Sequence, residues 1–164
     1  MMLFLPDMTI YAHPVKFKTK GTEQIKIGVI EELPRIEAYY IDDNCSIAIK
    51  RTLERIAYYS KWEGDHGFVQ FLASEDIWHK ELYPWIVCVD DYDKKTIIGG
   101  GCFRYRKYSN APHSWAMQWL WLHPYARSKG IMSALWPSFL EKFGDFNVER
   151  PLSKAMKAFV DKQK

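Results

Sequence analysis

The fold is decided by one segment, Trp115 to Phe143, which reads WAMQWLWLHPYARSKGIMSALWPSFLEKF. Residues 115–122 are apolar on both alternating faces, and Gln118 is the one polar side chain among them. The alternation predicts one face with Trp115, Met117, Trp119 and Trp121 and another with Ala116, Leu120 and Leu122. A strand without a polar face is typical of the centre of a sheet that is covered on both sides. Pro124 ends this strand because proline has no N–H to donate to a neighbouring strand.

An amphipathic helix is predicted after a short turn. Its apolar residues recur every four positions, at Ile131, Leu135, Phe139 and Phe143. This spacing places them on one helical face. We expect Pro137 to kink the helix, because it cannot donate to the carbonyl of Ser133, and Gly144 to end it.

The turn between strand and helix is basic and contains Arg127, Lys129 and Gly130. The first N–H groups of a helix have no acceptor within the helix, and with the helix dipole they form a site for anions. A glycine allows a ligand to approach the backbone closely. The spacing alone is equally consistent with an ordinary strand-to-helix turn whose basic side chains are solvated.

This stretch resembles the acetyl-CoA-binding segment of the GNAT superfamily of N-acetyltransferases. The pattern of that family is a strand, V-x-P, a short spacer and then R/Q-x-x-G-x-G/A. Leu122-His123-Pro124 corresponds to the first part, and the residues from Arg127 to Met132 correspond to the second. Met132 departs from the pattern, which has a small residue there, and we expect its side chain to crowd the pyrophosphate. The resemblance extends over about residues 84–160.

The resemblance implies a set of residues that bind acetyl-CoA. Those expected to surround its phosphates are Arg127, Ser128, Lys129, Gly130, Ile131 and Met132. Those expected to contact the pantetheine arm and to polarise the thioester, through main-chain groups, are Leu120, Trp121 and Leu122. We interpret the side chains of Trp119 and Trp121 as parts of the core.

The usual catalytic side chains of the family are missing. Many members carry a glutamate on the central strand, where this chain has Ala116 and Gln118. Many also carry a tyrosine on the last helix, where this chain has Val160. Ser153 aligns with an asparagine of that helix, and we expect it either to bond the pantetheine or the leaving thiolate, or to be only a helix N-cap after Pro151.

Several groups remain as proton acceptors for an amine. They are a water held by Gln118 and main chain, or the side chain of His113, which precedes the central strand, or Glu31 or Glu32. His113 is also consistent with a plain loop histidine. The acidic segment Glu31–Asp43 is interpreted either as a loop that lines the acceptor groove or as a solvated loop.

Composition limits the remaining choices. The chain has 164 residues, 48% hydrophobic and 16% aromatic, which suits a single domain over residues 1–164. Its net charge of +3 comes from 23 basic and 20 acidic residues, which is too mild to indicate nucleic-acid binding. No apolar run has the length of a membrane span, and the beginning, MMLFLPDM, lacks the basic region of a signal peptide.

The cysteines favour a reduced, cytoplasmic protein without a metal site. Cys45, Cys88 and Cys102 are far apart in the chain and odd in number. None of them has the spacing of zinc ligands, and disulfides are rare in reducing compartments.

The rest of the chain predicts further elements in order. Within residues 1–22 we expect an edge strand whose Lys16, Lys18 and Lys20 face the solvent. Further strands are expected at Gln24–Glu32, Phe68–Leu72, Trp85–Val89, Thr96–Arg106 and Phe146–Glu149. A first helix is expected after Asp42–Asn44 and should fray at Tyr58–Ser60; its buried stripe consists of Ile49, Leu53, Ile56 and Ala57. A short helical turn is expected at Ser74–Leu82, and a last helix after Ser153. The three glycines Gly99, Gly100 and Gly101 indicate a bulge or a close approach of backbones.

We therefore expect an α/β (α+β) domain with a mixed, mostly antiparallel sheet and helices on both faces. Family members usually continue with a further hairpin, which we expect to be truncated here or replaced by residues 1–22. The predicted function is transfer of an acetyl group from acetyl-CoA to an amine acceptor in a ternary complex, without a metal. The alternative is a non-catalytic module of the same fold that binds CoA or a protein. The sequence does not distinguish a monomer from a homodimer.

Overall fold

The computed structural model describes residues 12–64, 81–91, 94–149 and 154–163. Within these residues the strands are β1 (His13–Val15), β2 (Thr22–Ile25), β3 (Ile36–Ile41), β4 (Leu82–Asp91), β5 (Lys94–Arg106), β6 (Ser114–Leu122) and β7 (Asn147–Val148). The helices are α1 (Ile47–Gly64), α2 (Ile131–Phe143) and α3 (Lys154–Gln163), and a 3₁₀ turn spans Pro124–Ala126. From α1 onwards this order agrees with the predicted one.

The strands form one sheet in the order β2-β3-β4-β5-β6-β7, and β1 pairs with β5. Neighbouring strands are antiparallel except β6 and β7, which are parallel. The parallel pair follows from α2, since a crossover helix returns the chain to the same end of the sheet. The predicted class, with a mixed and mostly antiparallel sheet, is confirmed.

Two apolar cores lie on the two faces of the sheet. The core on the α2 side includes Trp85, Phe103, Met117, Leu135 and Phe139. The core on the α1 side includes Ile49, Leu53, Ile56, Trp119 and Trp121. Each helix therefore covers one face, as the apolar character of residues 115–122 predicted.

A bulge at Gln118 changes the faces of β6. Cys102 pairs with Trp119, whereas Phe103 pairs with Met117, so Gln118 is an extra residue in β6. An extra residue reverses the alternation of side chains beyond it. Met117 therefore lies in the α2-side core and Trp119 in the α1-side core. The prediction that all odd-numbered residues of this strand share one face is wrong.

The glycines of β5 are explained by close contacts with neighbouring strands. A Cβ added to Gly100 would lie 2.6 Å from the carbonyl oxygen of Trp85, and one added to Gly101 would lie 2.6 Å from its indole ring. A Cβ on Gly99 would lie 2.6 Å from the side chain of Leu122. The predicted close approach is confirmed, and it lets the fully buried indole ring of Trp85 pack directly against β5.

The segment Glu31–Asp43 is not a loop, because it contains β3, which pairs with β2 and β4. Tyr39 and Tyr40 on this strand are 8% and 6% exposed. Both are buried because β3 lies inside the sheet, and neither lines the cavity described below. The acidic residues that suggested a solvated loop lie mostly at the ends of the strand, and Glu37 on the strand is paired with Lys95.

The first two strands are shorter than predicted. The strand expected at Gln24–Glu32 ends at Ile25. The alternating lysines from Lys16 to Lys20 follow β1 and are not part of it. β1 pairs with β5 through His13 and Ile97, so the described part of residues 1–22 does not replace a hairpin beside β7.

α1 is longer than predicted. The hydroxyl of Ser46 accepts a hydrogen bond from the N–H of Ile49 at 3.4 Å near the start of the helix. Ile49 and Leu53 are fully buried, which confirms the predicted stripe. The helix does not fray at 58–60 but continues to Gly64, and this extension brings its last turn beside β6.

Two further elements cannot be compared. The predicted strand Phe68–Leu72 lies outside the described residues, as does the predicted helical turn from Ser74 up to Leu82, where β4 begins.

Gly144 ends α2 as predicted, with a φ of 67° and an N–H that donates to the carbonyl of Leu140. Of the helices that the structure describes, none is both long and apolar enough to cross a membrane.

Candidate acetyl-CoA site

A cavity of about 570 Å³ opens where β6 continues beyond its pairing with β7. β7 pairs with β6 only at Ala116 and Met117, and the N–H of Glu149 donates to the carbonyl of Met117 at 3.0 Å. The cavity is lined by β6 from Met117 to Leu122, by the turn before α2, by Val148 and by α3. The last turn of α1 closes it from the other face of the sheet.

The main-chain carbonyls on the open edge of β6 are bonded by side chains. Ser60 Oγ donates to the carbonyl of Leu120 at 3.3 Å, and Arg127 Nε donates to the carbonyl of Leu122 at 2.9 Å. Since N–H and C=O of one residue in a strand point to the same side, the N–H groups of Leu120 and Leu122 lie on this edge as well. The carbonyl of Trp121 faces β5 instead.

The turn before α2 has an unusual backbone. Ser128 has a φ of 61° and Gly130 a φ of 90°, both in the left-handed region. Gly130 is the N-cap residue, and it has no side chain that could bond the first N–H groups of α2. A Cβ added to Gly130 would meet no atom within 4 Å, so the space beside the turn is open. Together with the helix dipole, these N–H groups suit a phosphate.

The two cations of the turn are both paired with carboxylates. Arg127 Nη2 donates to both oxygens of Glu63, at 2.9 and 2.8 Å, and its guanidinium lies 5.7 Å from the ring of Trp121. Lys129 forms an ion pair of 2.7 Å with Glu32 and is not among the residues that line the cavity. Arg127, Ser128, Gly130, Ile131 and Met132 do line the cavity.

The predicted catalytic residues are separated by the fold. Gln118 is 7% exposed and lines the cavity, where its Oε1 accepts a hydrogen bond of 3.2 Å from Arg104. His113 lies in the exposed loop before β6, with its ring 6.1 Å from that of Tyr105, and does not line the cavity. Ser153 lies outside the described residues.

Met132 has two surroundings. Its side chain is 8% exposed within the α2-side core, and it also lines the cavity. Trp119 and Trp121 likewise belong to a core and line the cavity. The core interpretation of the two tryptophans therefore describes part of their environment.

Among the described residues, five polar side chains that line the cavity were missed from the sequence: Ser60, Glu63, Ser133, Glu149 and Lys162. Ser60 and Glu63 continue the buried stripe of α1 at spacings of four and three residues, a signal that the predicted end of the helix hid. Glu149 follows β7, and both of its oxygens accept hydrogen bonds from Arg106, at 2.6 and 2.7 Å. These hydrogen bonds, which Arg106 donates to Glu149, raise the pKa of Arg106.

The thiols and acidic groups of the described residues offer little other chemistry. Cys45, Cys88 and Cys102 are free and buried, and burial raises the pKa of their thiols to about 11, about 12 and about 12. Thiols of this kind are poor nucleophiles at neutral pH. Across the described ranges, His, Cys, Asp and Glu side chains form no group of three or more that could hold a metal ion.

Comparison with known proteins agrees with this geometry. Residues 49–159, more than half of the chain, match the family described as Acetyltransferase (GNAT) family. The fold is similar to that of a ribosomal-protein-alanine N-acetyltransferase from Brucella melitensis biovar Abortus 2308, with a TM-score of 0.55 and 13% identity over 78% of this chain and 89% of that one. It is also similar to an aminoglycoside acetyltransferase, meta-AAC0020, from an uncultured soil metagenomic sample, with a TM-score of 0.53 and 12% identity over 82% and 87% of the two chains. No curated protein sequence gives a significant match.

Proposed function

Since the chain belongs to the GNAT acetyltransferase family, we propose that it transfers the acetyl group of acetyl-CoA to an amine acceptor within a ternary complex. The observation that carries this proposal is the cavity between β6 and β7, which ends at the open N-terminus of α2. It combines a strand edge, which suits an amide-containing arm, with a helix start, which suits phosphates. The proposal includes a cytoplasmic setting, which the three unpaired cysteines favour.

The phosphates of acetyl-CoA would be bound at the turn that leads into α2. The supporting features are the left-handed backbone at Ser128 and Gly130, the open space beside Gly130, and the N–H groups of Ile131 and Met132 that have no side-chain cap. The pantetheine arm would lie along the open edge of β6. There the carbonyls of Leu120 and Leu122 are already bonded, so their N–H groups are the better partners for its oxygens.

In the proposed reaction the neutral amine attacks the thioester carbonyl carbon, the C–N bond forms and the C–S bond breaks. CoA leaves as a thiolate, which takes up a proton from water. An N–H group on the edge of β6, such as that of Leu120, would stabilise the negative charge that develops on the carbonyl oxygen. The cavity would supply much of the rate by holding both substrates in a reactive orientation.

The proton of the amine would pass to a water near Gln118. Gln118 lies in the cavity, whereas His113 is exposed on a loop outside it, and nothing in the described residues orients the imidazole towards the cavity. The carboxylate of Glu149 also borders the cavity, but both of its oxygens already accept hydrogen bonds from Arg106.

The same ion pairs favour the second candidate function, a non-catalytic module that binds CoA or a protein. β6 carries no carboxylate, and the two carboxylates that line the cavity, Glu63 and Glu149, are both bonded to arginines. Such a site would bind acetyl-CoA but would lack a free base for the chemical step.

Calorimetric titration with acetyl-CoA, followed by mass spectrometry of an amine library incubated with protein and acetyl-CoA, separates the two functions. We expect saturable binding and a mass increase of one acetyl group on particular amines. Binding without acetylation of any amine would support the non-catalytic module. Absence of binding would contradict both the enzyme and a module that binds CoA, and would favour a module that binds a protein.

A further inference from the structure

The carboxylate of Glu63 connects three parts of the molecule. Glu63 lies in the last turn of α1, and its Oε1 accepts a hydrogen bond of 3.0 Å from the indole N–H of Trp121 on β6. The same carboxylate accepts both bonds from Arg127 in the turn before α2. One side chain from the α1 face thus joins helix, central strand and turn at the edge of the cavity.

Arg127 is fixed from a second direction, because its Nε donates to the carbonyl of Leu122, the last residue of β6. The next residue of the turn, Ser128, has a left-handed backbone, which is uncommon for a residue other than glycine. Such a conformation persists only when the surrounding structure holds it. The bonds of the Arg127 side chain to Glu63 and Leu122, together with the bond from its backbone N–H to the carbonyl of Pro124, are contacts immediately before Ser128 that can do so.

We propose that Glu63 is a positioning residue for the acetyl-CoA site, acting through Arg127 on the turn that leads into α2. Glu63 holds Arg127 against the end of β6, and Arg127 in turn keeps Ser128 and Gly130 in the conformation that exposes the N–H groups to a phosphate. This inference rests on the proposed binding of acetyl-CoA, and it gives Arg127 an organising role in place of a direct ion pair with the ligand.

The two roles of Arg127 predict opposite effects of the same substitution. Glu63→Gln removes the negative charge beside the phosphate site and leaves the charge of Arg127 without its partner. If attraction by a released Arg127 dominated, this substitution would tighten the binding of acetyl-CoA. If Glu63 organises the turn, the substitution weakens binding, although the site becomes more positive.

The experiment compares two ligands, acetyl-CoA and acetyl-pantetheine, which lacks the pyrophosphate. We expect Glu63→Gln to weaken acetyl-CoA about tenfold by calorimetry and to change acetyl-pantetheine, followed by NMR titration, by less than about twofold, because only the pyrophosphate needs the organised turn. Glu23→Gln is the matched control, since Glu23 is an exposed residue of β2 that forms an ion pair with Lys142 of α2, away from the cavity. It should change neither affinity.

Arg127→Lys provides a second variant. It keeps the positive charge but cannot bridge Glu63 and Leu122 with a planar fork, so it should give the same selective loss. Unchanged or tighter binding of acetyl-CoA in folded Glu63→Gln protein would overturn the inference, and so would an equal loss for both ligands. A wild-type protein that binds no acetyl-CoA would instead remove the proposed function on which the inference depends.

Discussion

Gly130 offers a direct way to separate shape from charge at the start of α2. Asparagine and aspartate have the same size, both tolerate a positive φ better than other residues, and both are good N-caps. A Cβ at this position meets no atom within 4 Å, so neither substitution creates a clash. The backbone angle of 90° should cost each variant about 1–2 kcal/mol of the free energy of unfolding.

The difference between the two variants in binding is then electrostatic. Two unit charges 4 Å apart repel by about 1 kcal/mol in water and by about 4 kcal/mol near a protein surface. Gly130 is exposed, so the lower part of that range applies. A repulsion of about 1.4 kcal/mol corresponds to a tenfold weaker affinity for acetyl-CoA in Gly130→Asp than in Gly130→Asn.

The assay is calorimetric titration of both variants with acetyl-CoA at low and at high salt, after circular dichroism has established that each is folded. The gap between the two dissociation constants should shrink at high salt, because exposed charges are screened. Equal affinities of the Asp and Asn variants at low salt would refute the assignment of the phosphates to this turn.

Further predictions concern the cavity, the chemistry and the core. Met132→Gly should tighten acetyl-CoA binding by relieving crowding at the turn, unless the lost helix propensity of about 1 kcal/mol and the lost packing of a buried side chain, of about 2–5 kcal/mol, dominate. A weaker affinity in an equally stable variant would contradict this. If a water accepts the amine proton, His113→Ala should lower kcat/KM less than about tenfold and Ser153→Ala should lower it more. A pH dependence of kcat/KM that is lost in His113→Ala would instead favour the histidine. Gly101→Ala should lower the free energy of unfolding in urea by about 1–3 kcal/mol, since the methyl group would overlap a buried indole, and an unchanged midpoint would argue against the close packing. Burial and the charge of Arg55 lower the pKa of His13 below its ordinary value of 6.5, so the unfolded chain binds protons more readily than the folded one. The free energy of unfolding should therefore fall as the pH drops below about 6.5. His13→Gln should reduce this pH dependence, measured by urea titrations at several pH values.

Local pattern was sufficient for the segment that carries the site. Each signal in this segment depends only on residues of one element. These signals are the apolar run of 115–122, the proline that ends it and the four-residue spacing from Ile131. The strand, the turn, α2 and its end at Gly144 could therefore be predicted. The candidate phosphate turn followed from the same segment, since its N–H groups are exposed by the start of a helix wherever that helix packs.

Pairing with distant strands decided what the sequence could not. The pairing of β6 with β5 shifts by one residue at Gln118, which is the bulge. This pairing depends on residues of β5 and not on the sequence of β6 alone. For the same reason β3 is a strand in spite of its acidic neighbours, since the two strands beside it bury its tyrosines. A one-residue shift in pairing changes which face every later side chain occupies, and local periodicity carries no record of it.

The polar contacts of the cavity also belong to the tertiary structure alone. Glu63 and Arg127 are 64 positions apart, and Arg106 and Glu149 are 43 apart. Arg127 stands in the sequence motif and Glu63 continues the stripe of α1, but neither signal shows which residue is its partner, because a charged side chain in an exposed turn and one that forms an ion pair have the same sequence signature. The sequence alone predicted the start of α2, which is the candidate anion site, and the family. Only the packing of α1 and β7 against β6 decided which charged side chains surround that site.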